Sequence, residues 1–252
     1  MLALAAAITL AVVSTPGNIP NEQTNGPRPN SDPEAVPDGK VTTSGKSRLS
    51  INISVVSDYR FRGISQAAGQ AAVQASAEVV SPGGLYVGSW GSTSRASKQA
   101  YNEVDVYGGY RAKVVDADFD LGVVSYLYPG TGNVSSTEIY TSAAHSIGNS
   151  ELKVGISYTP HQDKLGTGDG LYLFSEVVQP LTAIPVVLRG HLGRETGVNT
   201  VTGYDKIDWL LGADVNINHA TISLAWVDAR YAGRRDTRHS AGRAVAAVAF
   251  NF

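Results

Sequence analysis

The chain has 252 residues, room for one large domain or two small ones, with 17% charged residues, no cysteine and a formal net charge of −2. That balance excludes the basic stripe of a nucleic-acid binder, and the missing cysteines exclude thiolate metal sites and cysteine nucleophiles. Charge below the roughly 25% usual for soluble domains, beside 27 glycines and 12 tyrosines, favours strands and turns over helices.

The one long apolar run is residues 2–13, LALAAAITLAVV. As a helix it reaches about 18 Å, too short for a hydrocarbon core. A secretory signal peptide over 1–14 fits better, though no Lys or Arg precedes it and no A-x-A site follows. A buried strand or helix is the alternative. Residues 15–47 hold six of the eleven prolines among Asn, Gly, Ser, Asp and Thr. Such a segment cannot bury enough apolar surface to offset ordering, so it reads as a disordered linker.

From Arg48 to Phe252 the pattern changes to period-2 alternation, the signature of strands with one apolar face. The first strand, residues 49–61, puts Leu49, Ile51, Ile53, Val55, Tyr59 and Phe61 on one face, and Ser50, Asn52, Ser54, Asp58 and Arg60 on the other. Eleven further strands are expected: one over about 73–79, and others near 84–92, 102–112, 118–128, 137–146, 151–159, 170–179, 185–194, 205–216, 220–228 and 243–252. The last ends Val248, Phe250, Phe252 on its apolar face. Twelve is even, as single-chain bacterial outer-membrane barrels require. The expected fold is an all-β, antiparallel, up-and-down transmembrane barrel in the outer membrane of a Gram-negative bacterium.

Connections alternate in length. Residues 81–84, 148–149, 179–185 and 216–219 read as short turns; 58–70, 92–102, 129–136, 160–169, 195–204 and 229–242 read as long loops. Short turns are periplasmic and long loops extracellular in such barrels, which puts both termini on the periplasmic side. Outward aromatics sort the same way. Tyr59, Phe61, Tyr158, Trp209 and Trp226 fall near the long-loop rim, and Tyr110, Phe119, Phe250 and Phe252 near the other. Two such belts suit the headgroup levels of a bilayer.

Three stretches, SDYRFRGISQ at 57–66, YNEVDVYGGY at 101–110 and DLGVVSYLYPG at 120–130, resemble the TorF porin family of proteobacterial outer-membrane proteins. The resemblance covers about residues 48–252, and Arg60-Phe61-Arg62-Gly63 is its most specific part. It implies an outer-membrane location and a porin assignment. It brings no substrate and no catalytic residues.

The alternation also sorts charge. Glu78, Glu103, Asp105, Asp120, Glu138, Glu176, Asp208 and Asp214 face inward in this register, with Arg60, Arg111, Lys153, Arg189 and Arg243. Against lipid a midplane Arg or Lys costs about 2–4 kcal/mol, so the membrane alone forces them inside. They either close a narrow barrel by cross-lumen ion pairs or line a hydrated channel. Inward Tyr86, Trp90, Tyr107, Tyr126, Tyr140 and Tyr172 narrow that lumen.

Little in the chain looks catalytic. The five histidines show no metal-ligand spacing, and no G-x-S-x-G elbow occurs. His191 shares its inner face with Arg189 and reads as a wall residue. DKLGTGDG at 163–170 lacks the closing Glu of a calcium loop and reads as a solvated loop.

The expected function is a passive channel for small hydrophilic solutes or ions, without catalysis, metal or cofactor. Its pore would be lined by the inward charges above other than Arg243, together with His191. Phe252 is the expected signal for the barrel-assembly machinery; outer-membrane lipid and lipopolysaccharide surround the barrel, and no nucleic acid is expected. Two alternatives stay open: a closed structural or adhesive barrel whose loops bind a partner, and an outer-membrane hydrolase.

Overall fold

The computed structural model describes residues 46–252 except 97–98, 130–134, 164, 166–167, 201–203 and 234–239. The expected signal segment, and the expected linker up to residue 45, lie outside the described residues.

The strands in chain order are β1 (Arg48–Val56), β2 (Arg60–Phe61), β3 (Ile64–Ser65), β4 (Ala72–Val80), β5 (Leu85–Ala96), β6 (Gln99–Val114) and β7 (Ala117–Leu127). They continue as β8 (Ser136–Ile147), β9 (Ser150–Thr159), β10 (Gly170–Pro180), β11 (Val186–Gly197), β12 (Lys206–Ile217), β13 (Ala220–Tyr231) and β14 (Arg243–Asn251). β1 and β4 to β14 form one closed antiparallel barrel of twelve strands; β2 and β3 pair only with each other. Closure removes the unpaired sheet edge that a membrane cannot solvate.

The seam joins the first strand to the last. β1 lies between β4 and β14, with Asn52 opposite Asn251 and Val56 opposite Ala247. Ile51 and Phe252 exchange backbone hydrogen bonds of 3.0 and 2.9 Å, and the Asn52 side chain donates to Asn251 Oδ1 at 3.0 Å. The ladder therefore runs to the final residue.

The outside of the wall is apolar and exposed along every strand, as with Leu49, Ile51, Ile53 and Val55 on β1 and Ile222, Leu224 and Trp226 on β13. Tyr158 and Trp226 sit outside near the long-loop end, and Tyr110, Phe119, Phe250 and Phe252 outside near the short-turn end. Trp209 shares the outward parity of Ile207 and Leu211 and is half-buried. An exposed apolar band of this extent belongs in lipid.

Two sequence expectations fail. The first strand stops at Val56 rather than 61, and Tyr59 and Phe61 are buried, at 0% and 4% exposure, instead of joining the outer belt. The reason is a change of direction. Beyond Ser57, which still bonds to Ala246, the chain turns into the barrel as the β2–β3 hairpin. Second, no long loop spans 92–102: β5 runs to Ala96 and β6 begins at Gln99, paired in unbroken register. Polar Ser, Thr, Asn and Gln in both strands lower the apolar contrast on which the reading relied, while leaving the ladder intact.

Candidate functional site

The inner wall carries the chemistry. Towards the short turns, Arg111 on β6 makes a two-pronged contact to Glu78 on β4, at 2.8 and 2.9 Å, and donates Nε to Asp120 on β7 at 3.1 Å. Its guanidinium lies 3.7 Å above the Tyr86 ring, and Tyr86 donates to Asp120 at 2.6 Å and sits 2.5 Å from the Tyr140 hydroxyl. Strand pairing sets Arg111 directly opposite Asp120, which puts their side chains within reach on one face. Gly122 makes room for the tyrosines: a Cβ there would lie 2.4 Å from the Tyr140 hydroxyl.

A second group occupies β9 to β12. Lys153, Glu176 and His191 stand in one cross-strand row. His191 Nδ1 lies 3.4 Å from Glu176, and Nε2 lies 3.2 Å from Asp208 and 2.8 Å from the Tyr172 hydroxyl. The imidazole also stacks on Tyr172 and Phe174. Held between two carboxylates and two rings, it is a clamped wall residue. Arg189 pairs with Asp214 nearby.

The third group lies at the long-loop end and is built around the inserted hairpin. Within it, Arg60 Nε donates to Asp58 at 2.8 Å, Ser65 donates to Asp58 at 2.6 Å, and Arg60 Nη1 reaches the carbonyls of Gly63 and Val227. At its tip Arg62 crosses the lumen. Its guanidinium contacts Glu138 on β8 and Glu195 on β11, each at 2.6 Å, and lies 4.1 Å above the Tyr172 ring of β10. Lys206 on β12 donates to the Arg62 carbonyl at 2.8 Å and contacts Glu195 at 2.6 Å. Tyr59 donates to Glu103 on β6 at 2.9 Å and packs on Trp90; Phe61 packs edge-on against Tyr126.

Gly63 lets the hairpin seat. Its φ is +83°, and a Cβ there would lie 2.2 Å from the Ala229 Cβ of β13. Any other residue is excluded by both the backbone angle and the wall.

Thus Glu78, Arg111 and Asp120 form one buried group. Lys153, Glu176, His191 and Asp208 form another beside the pair Arg189 and Asp214. Glu103, Glu138 and Arg60 join the hairpin. Arg243 sits exposed at the rim and donates to the Gly69 carbonyl at 2.9 Å. Asp105 is fully buried on β6 between Trp90 and Tyr126 of the neighbouring strands, and neither carboxylate oxygen has a hydrogen-bond partner among the described residues.

Sequence reasoning missed Arg62, Glu195 and Lys206. Glu195 shares the parity of Arg189 and His191 one residue past its expected strand, and Lys206 shares that of Asp208 within the expected strand 205–216, so strict alternation points to two of the three. Arg62 is hidden because its segment reads in sequence as an outward loop.

Solved structures share this architecture. A KdgM porin superposes with a TM-score of 0.55 at 12% identity, covering 81% of this chain and 99% of that one. A KdgM porin in complex with disordered oligogalacturonate gives 0.53 at 11% identity, covering 82% and 99%. A NanC porin gives 0.52 at 11%, covering 81% and 99%. At such identities the likeness shows the fold. With the apolar outer wall, it makes the protein a transmembrane barrel of the Gram-negative outer membrane. No curated protein matches the chain by sequence. The sequence does match, over residues 40–250, the model of a group described as bacterial proteins of unknown function, Gcw_chp, and the chain belongs to that family.

Proposed function

We propose that the protein is a narrow porin-like channel for passive diffusion of small hydrophilic solutes or ions. The observation that carries this reading is the inner wall: charged and hydroxyl side chains follow one another from Lys206 and Glu195 at the long-loop end to Arg189 and Asp214 near the short turns. A purely structural barrel is stable with an uncharged filling, and buried ion pairs are weak stabilisers beside well-packed apolar residues. Charges kept at this density suit the passage of polar solutes. In this reading the thirteen wall positions expected from sequence line the path, and the hairpin narrows it. The resemblance to TorF porins agrees with it. The terminal strand, ending on Phe252, serves as the signal for the assembly machinery, and lipopolysaccharide borders the long-loop rim.

One observation favours a second reading. Tyr59, Phe61 and Arg62 span the lumen at the long-loop end, which suits a closed barrel that works through its loops. Planar-bilayer recording decides between them. Purified, folded protein should give small ohmic steps with a mild cation preference. A folded, heat-modifiable protein that yields no steps supports the closed barrel instead.

A further inference from the structure

The seat of Arg62 is made by the barrel wall, but its occupant is not part of the wall. Glu138, Glu195 and the Tyr172 face come from β8, β11 and β10, and together they give a guanidinium two carboxylates and an aromatic surface. Arg62 rides on a hairpin whose ladder bonds are its own: β2 pairs with β3, and Gln66 bonds back to Tyr59. Side chains hold it inside. Withdrawing the hairpin therefore breaks no strand pairing of the barrel.

The surroundings remain acidic with Arg62 in place. Glu103, Asp105, Glu138 and Glu195 outnumber Arg62 and Lys206 here, since Asp58 and Arg60 pair with each other. Asp105 is the uncompensated member. It is fully buried, its oxygens lack hydrogen-bond partners among the described residues, and the acidic residues Glu103 and Glu138 lie close enough to oppose its charge. A buried carboxylate is costly to ionise without a partner, so an arriving cation is what lets Asp105 carry its charge. Trp90 and Tyr126, its cross-strand neighbours, are ring partners of the kind Arg62 and Arg111 already use.

We infer that this seat is a recognition site for the guanidinium or ammonium group of a cationic solute, occupied at rest by the protein's own Arg62. The solute is drawn by Asp105 and exchanges with Arg62 at Glu138 and Glu195, releasing the hairpin. This rests on the channel reading, which it deepens by naming the solute class and the gate.

The test is replacement of the tethered guanidinium by a free one. In the folded Arg62→Ala protein, calorimetry should show saturable binding of millimolar guanidinium chloride, and no binding of urea, which has the same shape without the charge. Wild type, where Arg62 competes, and the Arg62→Ala, Glu195→Gln double variant should each bind at least about tenfold more weakly. In bilayers Arg62→Ala should conduct several-fold more than wild type, and guanidinium, by displacing Arg62 and releasing the hairpin, should raise wild-type conductance towards the level of the variant. Should Arg62→Ala not fold, Arg62→Gln keeps the chain length without the charge and takes its place. Equal responses to guanidinium and urea, or undiminished binding by the double variant, overturn the proposal. Conductance without guanidinium binding removes the seat and leaves the channel. Selective binding without conductance from any variant does the reverse.

Discussion

Two arginines in this barrel solve one problem with the same parts. Arg111 meets Glu78 and Asp120 over Tyr86, and Arg62 meets Glu138 and Glu195 over Tyr172. Both guanidinium groups are buried to within 1% exposure. They differ in what carries them. Arg111 belongs to a sixteen-residue strand paired along both edges, whereas Arg62 belongs to a hairpin outside the barrel ladder. Equal chemistry thus yields a fixed brace in one half of the lumen and a removable one in the other. Contacts alone do not separate these roles; the backbone behind them does.

The largest effect should come from breaking the fixed brace. Arg111→Met leaves Glu78 and Asp120 buried without their cation, and β6 cannot leave to let water in. The expected loss is about 3–5 kcal/mol of barrel stability, read from urea unfolding of the heat-modifiable form. The matching loss for Arg62→Met should be clearly smaller, because the hairpin can move out and water can reach Glu138 and Glu195. Equal losses would show that both are braces.

Gly63→Val sharpens the contrast without touching a charge. The added side chain meets Ala229 and forces a β-branched residue to a φ of +83°, which costs about 1–2 kcal/mol for the backbone alone. The hairpin should leave its seat while the barrel stays folded. Trypsin then reports the change: Arg60 and Arg62 are buried in the native protein and should become cleavable in the variant. Resistance equal to wild type would mean the wall yields instead.

The smallest effect is expected at Asp163, in the connection 160–169. Residues 160–169 looked equivalent to 58–70 in sequence, yet Asp163 has a side chain 99% exposed. Asp163→Cys should leave stability and conductance unchanged. It should be labelled on intact cells by an impermeant reagent, whereas Asn149→Cys in a short turn should be labelled only after the outer membrane is breached. The opposite pattern would reverse the assigned orientation.

The contrast between these two connections also shows how far the sequence could be read. Alternation such as Leu49, Ile51, Ile53, Val55 against Ser50, Asn52, Ser54 placed the strands to within a few residues and set Glu78, Asp105 and Asp214 on the inner side. It failed at Tyr59 and Phe61, where an aromatic residue beside arginines fits a headgroup belt and a packed lumen equally well. Nothing local distinguishes the two environments, since both offer a ring an apolar body with polar neighbours.

The sequence by itself determined the barrel, its strand number and its inner and outer faces. A two-residue side-chain period against a lipid boundary leaves one arrangement that hides the charges and exposes the apolar residues. Only the tertiary structure decided which inward charges meet and which segment fills the lumen. Those partners lie far apart in the chain, as Arg62 and Glu195 do, and they come together only once β1 and β14 have closed the ring. Closure brings Glu138 and Glu195 together into the seat that the hairpin's arginine fills, so the hairpin's place could not be read from the hairpin alone.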